Sequence, residues 1–136
     1  MLHQDYLVRM FSQLAAAIRE SILKARGGQD PEAAAALLEA SLANATEVDG
    51  SILLTLAPDS MVAMLQLSET DPRLVSYVAR TLLLESQYLA EAQQNSLSAL
   101  REEQAYALSR AYDFDLTASS LEEGELEAFF ESTKIE

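Results

Sequence analysis

Cysteine and tryptophan are missing from this chain, and histidine occurs once, as His3. Without cysteine there is no disulfide framework, no thiol nucleophile and no thiolate metal site. One histidine cannot supply the Glu-x-x-His pairs of di-iron bundles, and carboxylates alone suit magnesium or calcium better than a transition metal. No catalytic residue, no metal ligand and no cofactor is expected, and His3 reads as an exposed terminal residue. Basic residues are scarce as well: nine Lys and Arg stand against 22 Asp and Glu, a formal net charge of -13. An acidic chain with no basic stripe is a poor binder of nucleic-acid phosphates or of anionic membranes. No uncharged apolar run reaches the ~18 residues that a membrane span needs. Met1 to Asp5 lacks the basic start and apolar run of a signal peptide, so a soluble, cytoplasmic protein is expected. Calcium loops, glycine-rich phosphate loops and nucleophile elbows are absent too.

What is present is a helical grammar. The 136 residues are 49% hydrophobic, enough for one domain with a single core. The longest apolar-periodic run, Leu74 to Gln93, follows Asp71-Pro72, an acceptor for first-turn amides ahead of a residue whose φ is preset for a helix start. Leu74, Val78, Leu82, Ser86 and Leu89 share one stripe, and Tyr77, Leu84 and Tyr88 a second. A helix apolar round so much of its circumference needs neighbours on several sides, so it is expected at the centre.

A first helix from about Gln4 to Arg26 carries the stripe Leu7, Phe11, Leu14, Ile18 and Ile22, and ends at Gly27-Gly28. Asp30-Pro31 restarts the chain, and a second helix runs to about Thr46, with the short turn making the two antiparallel. Ile52–Leu56 and Met61–Leu67 read as short helices. Asn95-Ser96 caps a sixth helix that ends near Phe114. Ser120 and Glu123 have the spacing of a capping box for a last helix, with Leu121, Leu126, Phe129 and Phe130 as its apolar face. The expected fold is all-α, about seven helices, with antiparallel hairpins packed around Leu74–Gln93. Two hairpins, residues 4–46 and 72–114, are offset by 68 residues, about twice the 34-residue tetratricopeptide period.

Charge divides the chain further. Residues 1–26 carry Arg9, Arg19, Lys24 and Arg26 against Asp5 and Glu20, a balance of +2, while residues 113–136 carry eight acids against Lys134, a balance of -7. The expected organisation is a helical domain over residues 1–118 and an acidic tail over 119–136 that docks marginally near the first helix. Burial of the four apolar tail residues has to dominate that docking, because exposed ion pairs are screened.

The segment Gln4-Asp5-Tyr6-Leu7-Val8-Arg9-Met10, the Gly27-Gly28 break and the Ala-Leu-Leu-Glu helix after it resemble an uncharacterised bacterial family of small helical proteins. Its members begin with a similar Q-D-Y-[IL]-x-R segment, followed by hairpins related to tetratricopeptide repeats. The likeness spans roughly residues 3 to 112. It implies tetratricopeptide-like hairpins and an interaction role, and it supplies no catalytic residues. The chain lacks the repeat's Trp-Leu-Gly-Tyr pattern, and Gln104 stands where a small residue is expected.

Adjacent carboxylates such as Glu102-Glu103 and Glu122-Glu123 point about 100° apart on a helix and read as solvated faces. Tyr77, Tyr88 and Tyr106 are candidates for a partner-binding groove, since helical tyrosines offer contact area with a polar tip. Met61 and Met64 are candidates for an adaptable contact surface, and core filling competes for all five. The leading expectation is a non-catalytic protein-interaction module with a protein or peptide partner, self-association included. An acidic inhibitor that mimics nucleic acid is the alternative, and an enzyme without a recognisable motif comes third.

Overall fold

Asp71 opens the central element as its position demands. Its carboxylate accepts the Arg73 amide at 2.8 Å, and the helix runs from Pro72 to Glu91, two residues ahead of the span expected from periodicity. In the computed structural model, which describes residues 2–46 and 48–134 with the side chains of Leu2 and His3 left out, the expectation for His3 lies outside the described residues. The described residues form seven α-helices and one 3-10 turn, with no strand among them. The fold is all-α.

The helices are α1 (Leu2–Arg26), α2 (Pro31–Ala43), α3 (Gly50–Leu53), α4 (Pro58–Leu67), α5 (Pro72–Glu91), α6 (Asn95–Tyr112) and α7 (Glu123–Ser132), with the 3-10 turn at Ala118–Leu121. Helix α5 packs against α1, α2, α6 and the 3-10 turn, so nearly every side of it is covered. Leu74, Val75, Val78, Leu82 and Leu89 are buried along it, facing Leu7, Leu14 and Ile18 of α1 and Leu38 and Leu42 of α2 across one core. Helices α1 with α2 and α5 with α6 form the two hairpins, and α4 lies on α6. No helix is long and apolar enough to cross a membrane, among the described residues.

The helix ends differ from expectation in instructive ways. At the end of α1 neither Gly27 nor Gly28 takes the left-handed conformation; Gln29 does, at φ 51°, and the Asp30 amide reaches back to the Lys24 carbonyl. Glu69, Gln93 and Asp113 make the same turn, at φ 53°, 65° and 57°. Ser96 does not cap α6: the cap residue is Gln94, and no side chain bonds the free amides. Ser120 faces backwards, its hydroxyl accepting the Thr117 amide, so the capping box belongs to the 3-10 turn and not to α7. Helix α2 stops at Ala43, short of Thr46, because α3 comes in against it at Gly50. A Cβ on Gly50 would lie 2.3 Å from the Ala43 backbone, so only glycine permits this approach.

Candidate functional site

Helix α7 lies over a seat built by α1 and α5. Phe11 of α1 stacks on Tyr77 of α5 with ring centroids 4.8 Å apart, and Tyr77 in turn meets Phe130 at 5.8 Å, nearly parallel, and Phe129 at 4.7 Å, tilted. Aromatic pairs at these separations attract beyond their area burial. Four rings from three helices thus form one continuous layer. The Tyr77 hydroxyl is 2.6 Å from Thr133 Oγ1, whose hydroxyl also lies 3.0 Å from the Phe130 carbonyl. Burial pushes the Tyr77 phenol up, with the Thr133 contact and the nearby Arg19 and Arg80 pulling the other way.

Arginines frame this layer. The Arg80 guanidinium carbon lies 3.9 Å from the Phe129 ring centre and 5.7 Å from that of Phe114, and its Nε has no hydrogen-bond partner among the described residues. The ring faces stand in for one. Burial holds Arg80 below the usual guanidinium range. On the outer side Arg19 makes a bidentate pair with Glu127, both bonds 2.8 Å, and lies over Phe130, while Arg26 pairs with Glu123. The bond to Glu127 raises Arg19 and holds the Glu127 carboxyl below its ordinary range. Clefts of about 240 and 230 Å³ remain on the two flanks of α7. Val8, 41% exposed, lines the first, and Leu23, 71% exposed, lines the second.

A second polar cluster lies where α2, α5 and α6 meet. Arg101 of α6 is only 4% exposed. It donates to the Leu54 carbonyl at 2.7 Å, to Gln104 at 3.0 Å, to Glu39 of α2 at 3.0 Å and to Glu85 Oε2 of α5 at 3.3 Å. Gln104, fully buried, donates to the Leu54 and Leu56 carbonyls after α3. The residue that departs from the repeat pattern is therefore the one that ties down the chain after a four-residue helix. Burial pushes the Glu85 carboxyl up to about 8, and a hydrogen bond shared with Glu39 adds to the effect. Burial also works against the ionised Glu39, but its bonds with Glu85 and Arg101 hold it below the usual carboxylate range. Glu85 is thus the protonated partner and Glu39 the ionised one.

The five residues expected on a contact surface do not assemble into one. Tyr77, Tyr88 and Met61 are buried, at 1%, 6% and 0% exposure, because α7, α1 and α6 cover the faces from which they project. Tyr88 sits with its hydroxyl 3.4 Å from Ser21, and burial raises it. Met64 and Tyr106 keep partial exposure on α4 and α6, Tyr106 beside the exposed Glu102 and Glu103. Among the described residues no three acidic or histidine side chains are placed to hold a metal ion. Arg101 and Glu85 went unnoticed in the sequence although a signal exists. Val78, Leu82, Glu85 and Leu89 continue one stripe, as do Leu97, Arg101, Gln104 and Leu108, so both charges stand in line with buried leucines.

Compared with protein-family models, with curated proteins and with solved structures, the chain matches none.

Proposed function

We propose that the chain is a non-catalytic protein-interaction module whose seat between α1 and α5 receives an acidic, aromatic-bearing helix, with α7 as its built-in occupant. The observation that supports this is the occupant itself. An amphipathic helix rests on Phe11 and Tyr77 through Phe129 and Phe130, and its Glu123 and Glu127 meet Arg26 and Arg19 at the rim. Helix-in-groove recognition uses apolar anchors at helical spacing with charges at the edge, and α7 has both. The seat is also wider than its occupant, since Val8 and Leu23 stay exposed on either flank. Paired antiparallel hairpins of tetratricopeptide-like type present grooves of this kind, which agrees with α1/α2 and α5/α6 as the frame. Partners are helices of the same chemistry, another copy's α7 among them.

The test is a labelled peptide of residues 117–134 titrated into the full chain and followed by fluorescence anisotropy. Phe130→Ala in the full chain loosens the resident helix, so it should bind the peptide more tightly than the unaltered chain does. The same substitution in the peptide should weaken binding to both. A peptide that binds neither form would overturn the proposal, and sedimentation of the Phe130→Ala chain without peptide would separate self-exchange from binding of foreign helices.

A further inference from the structure

The outer face of α1 carries charges that the rest of the chain does not use. Asp5, Arg9, Ser12, Ala16, Glu20 and Leu23 recur along the helix at steps of three and four residues, so they share one side of it, and all six are exposed. Helix α7 takes a neighbouring edge, where Arg19 and Arg26 meet Glu127 and Glu123. On the outer face Asp5, Arg9, Glu20 and the exposed Lys24 have no ion-pair partner among the described residues. Leu23 stands among them with 71% of its surface in solvent.

The order of these charges is self-complementary. Asp5 precedes Arg9 by four residues and Glu20 precedes Lys24 by four, acid first each time. We infer that two copies of this chain pair through α1, antiparallel, about a twofold axis level with Leu14 and Ala15. In that register Asp5 meets Lys24 of the second copy and Arg9 meets its Glu20, and symmetry makes each contact twice. A parallel pair would set every charge beside its own duplicate. Ser12 and Ala16 at the middle are small, which lets the two helix axes approach closely. Arg9 lies over the Tyr6 ring of its own chain, 6.0 Å from the ring centre. The antiparallel register brings Leu23 of one copy against that pair in the other.

Charge also commits the face to this occupant. Two chains of net charge -13 repel one another, and residues 1–26, at +2, are a stretch where they can meet without adding acid to acid. A second α1 cancels all four outer charges and leaves none over. The helix has 25 residues, a length of about 37 Å. A single helix pair of that length lies at the low end of interface sizes, so the dimer is concentration-dependent. This face is separate from the seat of α7, and the inference does not rest on the function proposed for that seat.

The experiment is sedimentation velocity of the full chain across micromolar to millimolar concentration, with two charge reversals on the exposed face. The unaltered chain should pass from monomer to dimer over this range. Arg9→Glu and Glu20→Arg, each checked for an unchanged melt, place like charges opposite one another twice and should weaken the dimer about tenfold or more. Mixing the two variants restores opposite charges at both contacts, so the mixture should dimerise where neither variant does alone. The double variant R9E/E20R should likewise recover the dimer. A chain that stays monomeric throughout, or a mixture no more associated than its components, would overturn the inference. So would a dimer that neither reversal weakens, which would arise from exchange of α7 instead.

Discussion

Arg101 and Arg19 both reach across a helix interface to carboxylates, under opposite conditions. Arg101 is buried and holds acceptors from three directions: Glu39 on α2, Glu85 on α5 and the carbonyl of Leu54. Arg19 is half exposed and holds one, Glu127, with better geometry. Good geometry does not make the stronger restraint. In water an ion pair recovers little beyond what hydration already gave its partners, and salt screens the rest. Inside, every unsatisfied charge retains its desolvation cost, so a cluster such as that of Arg101 must be complete. The tail is therefore directed to α1 by charge and held there by its aromatic layer, whereas the α2–α5–α6 junction is locked by polar bonds.

The widest separation between the two regions should come from removing Arg101. Arg101→Met strands Glu85 Oε2 and Gln104 Oε1 and takes the cation from Glu39, and breaking a buried pair from one side typically costs about 3–5 kcal/mol. Urea denaturation measures it, and a loss below ~1 kcal/mol, as for an exposed pair, would erase the distinction.

The next largest effect is a dependence on pH. Below the ordinary carboxylate range both folded and unfolded chains hold the Glu85 proton, and between there and about 8 only the folded chain does. The contribution of Glu85 is therefore fully present at the acid end and lost as pH rises through about 8. Glu39, held low, acts in the opposite sense and only at more acid pH. Denaturation midpoints across neutral pH should fall with rising pH in the unaltered chain and stay flat in Glu85→Gln. A flat midpoint in the unaltered chain would mean that Glu85 is ionised in the fold across this range.

Deleting residues 119–136 addresses the other region. Leu121, Leu126 and Phe130 bury their side chains in the docked tail, against the entropy of ordering some dozen residues at ~1–2 kcal/mol of backbone each. The truncated chain should stay folded, melt at a lower temperature and bind more hydrophobic dye through Phe11 and Tyr77. Failure to fold would make the tail part of the core.

The smallest effect is a gain. Gly124 sits in α7 with open space where a Cβ would go, so Gly124→Ala should favour the docked helix by about 0.5–1 kcal/mol. Resistance of the α6–α7 connection to limited proteolysis should rise with it. An unchanged digestion rate would show that docking is not coupled to the helicity of α7.

Much of the frame was legible because it rests on local chemistry. Asp30 and Asp71 cap their helices with side-chain bonds of 3.0 and 2.8 Å, and the prolines after them take the first helical positions. The encircling apolar residues of α5 announced a central helix. The Arg101 cluster was legible only in part: the helical period sets Arg101 and Glu85 in line with buried leucines, but only a partner far along the chain makes such burial tolerable, and that partner is not written locally. Glu39, Glu85 and the carbonyl of Leu54 are 62, 16 and 47 residues away from Arg101. Tyr77 failed as a surface residue for a related reason. Its stripe is apolar whether it meets a partner or the chain's own tail, and the occupant of a groove is not written in the groove.

Four corners of this molecule are turned by Gln29, Glu69, Gln93 and Asp113 in a backbone region that costs a residue with a side chain roughly 1–2 kcal/mol. Glycine or asparagine would turn them with less strain. The chain thus carries slack at its corners that a few exchanges could recover without touching the core, the seat of α7 or the Arg101 cluster. A lineage under thermal selection gains its first stability there, with the contacts of both clusters left as they are.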